Sequence, residues 1–173
     1  GAHGTSVYAG WGIPMVPGHE QATARITPDG GLEIRVGVHS HGQSMETTLP
    51  QVAHEILGID VARIKLVHGD TEYTPFSTGT WGSRCAVMAG GAVASACREV
   101  ASLAKRIGAH LLQTDPDQVQ LVDGAVCSHA GSISLKDIAY TWYRRPQDLP
   151  SSVDPRGLEA TIGHKPKRNA GTF

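Results

Sequence analysis

The sequence predicts an α+β fold: β-hairpins and short strands packed with two main helices, as part of a larger domain. Three observations lead there. Apolar residues alternate on both sides of Asp29-Gly30, a dipeptide that favours the tight turn of a hairpin. Apolar stripes at helical spacing follow, one over residues 49–57 and one over about residues 84–112. No segment repeats at a fixed period, which argues against stacked-repeat architectures.

In chain order, residues 1–19 hold Pro14 and Pro17 with little periodicity, and read as a loop or short edge strand. From Glu20 to Ile26, Ala22, Ala24 and Ile26 share one face, as in a half-buried strand. Leu32, Ile34, Val36 and Val38 alternate after the turn and complete the hairpin. Leu49, Val52, Ala53, Ile56 and Leu57 then mark the first helix. Thr48-Leu-Pro-Gln51 reads as its capping box, because a start near Ser44 would place Pro50 deeper and kink it. Gly58 ends it.

Residues 64–67 read as a short strand with Ile59 packed beside it, and residues 69–75 as a loop. The second helix carries Val93, Ala96, Val100, Leu103, Ala104 and Ile107 on its packing stripe. Gly90-Gly91 would weaken an isolated helix by about 1 kcal/mol each, so a neighbouring backbone is expected to approach closely there. After a turn at Asp115-Pro116, residues 119–121 and 125–127 form a hairpin around Asp123-Gly124. Ile133-Ser-Leu135 leads into a short helix to about Tyr143, and the Pro-rich residues 145–157 read as extended. Residues 158–162 alternate like one more strand, with a pairing partner expected beyond Phe173.

The formal charge of −1 argues against a strongly basic nucleic-acid surface. No run approaches the roughly 20 apolar residues of a membrane span, and no signal peptide is apparent. Cys85, Cys97 and Cys127 have no metal-ligand spacing, and an odd count suits reduced thiols in a cytoplasmic protein. Neither Gly1-Ala-His-Gly4 nor Asn169-Ala-Gly-Thr-Phe173 carries a terminus signal, so the chain reads as a piece of something larger.

Polar chemistry concentrates at two junctions. The first, Val36-Gly-Val-His-Ser-His-Gly-Gln-Ser-Met-Glu-Thr-Thr48, lies where a strand gives way to a helix. Helix N-termini hold unpaired N–H groups and partial positive charge, which suits an anion. Gly42 frees the backbone, Gln43 supplies donors and acceptors, and Ser44 adds a hydroxyl. The second junction, Thr80-Trp-Gly82-Ser83-Arg84, repeats that chemistry before a long small-residue helix. Two readings stand for the pair: ordinary helix capping, or an anion or cofactor site with Arg84 adding a charge-assisted bond. Neither stretch matches a phosphate loop or a dinucleotide fingerprint.

His39 and His41, with His54, His68 and Asp70 nearby in sequence, match no metal-site spacing and read as structural or exposed. Cys85 at a helix start could be an activated thiol, but no base is assigned to it, and a packed small residue is the favoured reading.

The order strand-Asp-Gly-strand, His-Gly-Gln-Ser-Met-Glu-Thr-Thr, Gly58-Ile-Asp, His68-Gly-Asp-Thr71, Gly79-Thr-Trp-Gly-Ser-Arg84 and Leu158-Glu-Ala-Thr161 resembles the molybdenum hydroxylases. These are the xanthine dehydrogenase, aldehyde oxidase and carbon monoxide dehydrogenase family. The likeness is to their large, molybdopterin-binding subunit, closest to the bacterial carbon monoxide dehydrogenase type. The resemblance implies that residues 1–173 are part of a molybdopterin-binding domain, with a cofactor-binding core at about 20–112 and a supporting segment at about 113–173. It places Gln43 at the pterin or molybdenum-oxo end, and Thr80 and Ser83 at the pyrophosphate or pterin region. Gly42, Ser44, Gly82, Arg84 and Cys85 complete the expected set.

The implied cofactor is molybdopterin, in bacterial relatives usually the cytosine dinucleotide, with molybdenum held by the pterin dithiolene and not by protein ligands. Ser44 stands where the motif usually has Gly, and Cys85 where it often has Ser. The family's catalytic glutamate has no counterpart before Phe173, so no catalytic residue is expected here and the piece alone is expected to be inactive. Implied partners are the rest of the large subunit, iron–sulfur and flavin (FAD) subunits and a small-molecule substrate. The parent would hydroxylate an aldehyde or heterocycle, or oxidise carbon monoxide, with oxygen from water. The rival is a non-enzymatic module that binds a phosphate-bearing ligand or a partner protein.

Overall fold

A computed structural model describes residues 20–165, and the loop or edge strand expected at residues 1–19 lies outside them. The hairpin forms as the alternation requires: β1 (Glu20–Ile26) and β2 (Leu32–Val36) pair antiparallel with Ala24 opposite Ile34. At the turn, Gly30 takes φ 80° and Thr27 Oγ1 donates to Asp29 Oδ1. That bond from Thr27 is the main reason the Asp29 carboxyl lies below its usual range.

The main sheet has the order β3-β2-β1-β7, with β3 (Ile64–Val67) parallel to β2 and β7 (Glu159–His164) antiparallel to β1. The parallel pair needs a crossover, which α1 (Met45–Leu57) supplies. The partner of the last strand is therefore β1, not a segment beyond Phe173. Thr23 and Thr161 face each other with hydroxyls 2.7 Å apart.

Helix α1 starts a turn earlier than the capping-box reading. Ser44 is its N-cap in the left-handed region (φ 59°, ψ 42°) with no side-chain cap bond, and the Thr47 and Thr48 N–H groups bond its carbonyl. Pro50 thus lies inside the helix. The early start buries Met45 as well as Leu49, and that apolar burial offsets much of what a proline inside the helix costs. Gly58 ends α1 in the left-handed conformation, as expected.

The second helix, α2, opens with a π-helical turn (Cys85–Ala89) and continues as regular α-helix over Gly90–Leu111. A Cβ at Gly91 would stand 2.4 Å from the His164 ring of β7. The close neighbour at Gly91 is a side chain, not the expected backbone, and Gly90 has no described atom within 4 Å of such a Cβ.

Beyond α2, β4 (Gln120–Val122), β5 (Ala125–Ser128) and β6 (Gly131–Ser134) make a three-stranded antiparallel sheet, one strand more than the expected hairpin. Helix α3 (Leu135–Arg144) follows, with Ser134 Oγ accepting from the Asp137 N–H. Residues 145–157 form turns and a short 3-10 segment (Pro146–Asp148) instead of an extended run. Prolines there set φ for turns as readily as for extended chain. One hydrophobic core joins residues of every helix and both sheets, from Ala22 to Ala160. Among the described residues no helix is long and apolar enough to cross a membrane.

Candidate functional site

The fold brings the two polar junctions together, and Thr80 ties them. Its Oγ1 accepts from the His39 N–H at 2.7 Å and donates to the His39 carbonyl. Behind this tie, the second loop lies directly on Gly37, where a Cβ would be 2.3 Å from the Ser77 Cβ. Between the loops opens a cleft of about 600 Å³. Gly42, Gln43, Thr80, Gly82, Ser83 and Cys85 of the expected set line it, and His41, Trp81 and Ala86 complete the wall.

The other two expected residues lie just outside it. Ser44 is the left-handed N-cap of α1. Arg84 is 2% exposed and turned inward. Its Nη1 donates to Glu20 Oε2 at 2.7 Å and to the Gly79 carbonyl at 2.9 Å. Its guanidinium carbon sits 5.7 Å from the centre of the Trp81 ring, so it also supports the aromatic part of the wall.

Backbone strain gathers around the cleft. Gly42 (φ 101°), Ser44 (59°), Gly79 (88°), Gly82 (57°) and Ser83 (56°) all take positive φ. For the two serines this costs about 1 kcal/mol or more each, and such residues persist where the surroundings dictate their conformation. Left-handed Ser83 precedes right-handed Arg84 (φ −86°, ψ −18°), an alternation that turns successive N–H groups into an anion-accepting hollow. The π-turn begins at the next residue, Cys85. An added Cβ at Gly42 or Gly79 would meet no described atom within 4 Å, so the space before both is open.

Gln43 is folded onto its own loop. Its Oε1 accepts from the His41 N–H, and its Nε2 contacts Met45 Sδ at 3.3 Å. The histidines partly assemble: the His39 ring lies 5.6 Å from His41 and 5.5 Å from His68, and His68 Nε2 is 3.2 Å from Glu46 Oε1. The Glu46 carboxyl is held below its usual range, first by its own backbone N–H and then by Ser40 and His68. His54 is elsewhere, bonded to the Ile59 carbonyl, and Asp70 caps its own loop at the Glu72 N–H. Among the described residues no group of three or more His, Cys, Asp or Glu side chains is placed to hold a metal ion. Sequence reasoning assigned no site role to Trp81 or Glu20. An aromatic inside a Gly/Ser/Thr run was a usable signal for Trp81, whereas nothing local marks Glu20.

Comparison with known proteins shows the family. The family model of the molybdopterin cofactor-binding domain matches residues 3–171. The gamma subunit of the 6-hydroxypseudooxynicotine dehydrogenase complex of Paenarthrobacter nicotinovorans is 34% identical over 92% of the chain and 20% of its own length. The carbon monoxide dehydrogenase large chain of Hydrogenophaga pseudoflava is 34% identical over 82% of the chain and 18% of its own. Quinoline 2-oxidoreductase from Pseudomonas putida 86 superposes with a TM-score of 0.84 at 29% identity, over 96% of this chain and 21% of that one. The chain thus spans about one fifth of the length of these relatives. It belongs to the molybdopterin cofactor-binding domains of molybdenum hydroxylase large subunits.

Proposed function

We propose that the cleft between the two junctions is where this domain holds its molybdopterin, in the cytosine dinucleotide form. The observation that carries the reading is the cradle itself: two loops joined by Thr80, open space before Gly42, and strained serines in and beside it. The residues suit such a group. The volume lies in the usual range of about 300–1,000 Å³ for small-molecule sites. Its donors are uncharged hydroxyls, an amide and backbone N–H groups, as a polar heterocycle bearing phosphates requires.

Gln43 would present its amide to the pterin end, after exchanging its internal bond with His41 for one to the ligand. Thr80, Gly82 and Ser83 would offer the phosphate or pterin region their hydroxyls and backbone. Trp81 supplies an apolar face that keeps water out, with Arg84 behind it. Ser44 and Cys85, where the family resemblance leads one to expect Gly and often Ser, would narrow the backbone's freedom and weaken one hydrogen-bonding position. When bound, the group supplies the redox chemistry, and the protein positions it and tunes its surroundings.

For the whole protein we propose a cytoplasmic oxidoreductase that hydroxylates an aldehyde or heterocycle, or oxidises carbon monoxide. The names of its relatives, among them a nicotine 6-hydroxylase large subunit and carbon monoxide dehydrogenase large chains, support that range. Iron–sulfur and FAD-bearing partners would carry the electrons away.

The test is metal analysis with identification of the released nucleotide, on the full-length subunit from a host that makes the cofactor. Near-stoichiometric molybdenum with a pterin cytosine dinucleotide is expected. Gln43→Ala should lower cofactor content. Absence of metal and pterin together would leave a module that binds a phosphate-bearing ligand or a partner protein.

A further inference from the structure

Glu20 and Arg84 are 1% and 2% exposed, and neither lines the cleft. One carboxylate oxygen of Glu20 does most of the fastening. Its Oε2 accepts from Arg84 Nη1 at 2.7 Å and from Ser77 Oγ at 2.8 Å. Those two donors in turn hold both polar groups of one peptide position: Ser77 Oγ accepts from the Gly79 N–H, and Arg84 Nη1 donates to the Gly79 carbonyl, each at 2.9 Å. Both ends of loop 77–84 are therefore anchored to the first residue of β1, and Gly79 (φ 88°) is held between them.

A buried ion pair is a poor device for stability, because desolvation offsets most of the attraction. What such a pair can supply is a single arrangement. The arrangement here is that of the loop whose Thr80, Trp81, Gly82 and Ser83 form one wall of the cleft. We propose that Glu20 is a positioning residue for the cofactor: through Ser77 and Arg84 it sets the conformation of loop 77–84 before the cofactor arrives. The proposal rests on the reading of the cleft given above.

The test uses the full-length subunit from a cofactor-producing host, with two altered forms. Ser77→Ala removes one arm at a half-buried position. The double variant Glu20→Gln/Arg84→Gln removes both charges together, so that no lone buried charge unfolds the protein. Three quantities are measured: molybdenum and pterin content, amide hydrogen exchange of residues 78–84 in cofactor-free protein, and the thermal midpoint.

In Ser77→Ala, loop exchange should accelerate by about tenfold, the equivalent of one hydrogen bond, while β1 and β2 keep their protection and cofactor content falls. In the double variant the thermal midpoint should stay close to wild type, yet cofactor content should fall and loop exchange rise. Wild-type loop exchange and content in both forms would overturn the proposal. So would faster exchange spread evenly over the sheet, which would make Glu20 a contributor to fold stability only. If the wild type itself takes up no molybdopterin, the reading of the cleft fails. The exchange data then still decide whether Glu20 shapes the loop.

Discussion

A Cβ on Gly37 would stand 2.3 Å from the Ser77 Cβ and 2.5 Å from the Pro75 carbonyl oxygen, both on the loop that carries Thr80. Backbone cannot swing aside as a long side chain can, so Gly37→Ala should displace that loop and cost about 1–3 kcal/mol, as overpacking does. Urea unfolding would read the loss, and exchange at residues 77–84 would locate it. Gly42 is the contrasting residue: no described atom crowds its missing Cβ, but its φ of 101° suits only glycine and it lines the cleft. Gly42→Ala should therefore reduce cofactor content more than Gly37→Ala does for the same loss of stability.

The three thiols separate by burial. The Cys97 thiol is pushed up to about 12, because burial penalises its charged form and Arg98 only partly offsets this. Cys85 and Cys127 are half-buried. At pH 8 an alkylating reagent should modify Cys85 and Cys127 in the native protein and reach Cys97 only after unfolding. Bound cofactor should slow Cys85 alone, since Cys85 lines the cleft and Cys127 does not. The raised Cys97 value also sets a sign: its contribution to stability is complete below the unfolded value of 9.0 and is lost as pH climbs towards about 12.

Among the elements, what could be read in the sequence was whatever local chemistry dictates. The hairpin was legible because Asp29-Gly30 and the flanking alternation are all within reach of one another. The start of α1 was not, since Thr48 and Pro50 imitate a helix beginning while the true cap, Ser44, uses backbone geometry and no side-chain bond. Strand β6 was missed because Gly131-Ser-Ile-Ser134 carries a single apolar residue, and its pairing with β5 is decided by tertiary contact. The contact between α2 and β5 is equally invisible in sequence, and it makes a prediction about helix propensity.

Gly108 lies inside α2, where alanine would ordinarily be better by about 1 kcal/mol. Its missing Cβ would fall 2.8–3.0 Å from Cβ and both methyls of Val126, which is fully buried on β5. β5 is held on both edges by β4 and β6 and cannot retreat. Gly108→Ala should thus destabilise, with an overpacking cost of about 1–3 kcal/mol exceeding the propensity gain. Placed on a Val126→Ala background, which removes both methyls but keeps the Cβ at 2.9 Å, the same change should cost less, and a double-mutant cycle in urea would measure that coupling.

At the scale of the whole fold, the decisive pairing is the one that joins the first described strand to the last. β1 sits inside the main sheet only because β7, 138 residues away at the Thr23–Thr161 pair, covers its outer edge. The same strand brings Ala160 into the core, with Leu158 just before it, and places the His164 ring on Gly91 at the start of regular α2. A strand's own alternation shows which face is buried but not which distant strand it pairs with, so this closure could not be read from residues 158–162. Most residues that line the candidate cleft could, by contrast, be picked out locally, because Gly42-Gln43 and Thr80–Ser83 crowd glycine, amide and hydroxyl groups, whereas the inward turn of Arg84 could not. Their tie through Thr80 and the anchor at Glu20 likewise needed the fold.

If β1 depends on β7, the residues of the cleft should fail without a strand that contains none of them. Leu158 alone contributes about 1.5–3 kcal/mol when fully buried, against a total of about 5–15 kcal/mol for a typical domain. The strand that follows it also supplies the pairing for six positions from Glu20 to Arg25. A chain ending at Gly157 should therefore lose cooperative unfolding and associate through the bared edge of β1. Size-exclusion chromatography and circular dichroism would detect both effects. A peptide covering residues 156–166, added in trans, should reverse that association and restore the transition, whereas one with Leu158→Asp and Ala160→Asp should not. A truncated chain that associated no more than the intact one and melted cooperatively would show instead that β1, β2 and the two junctions fold without closure of the sheet.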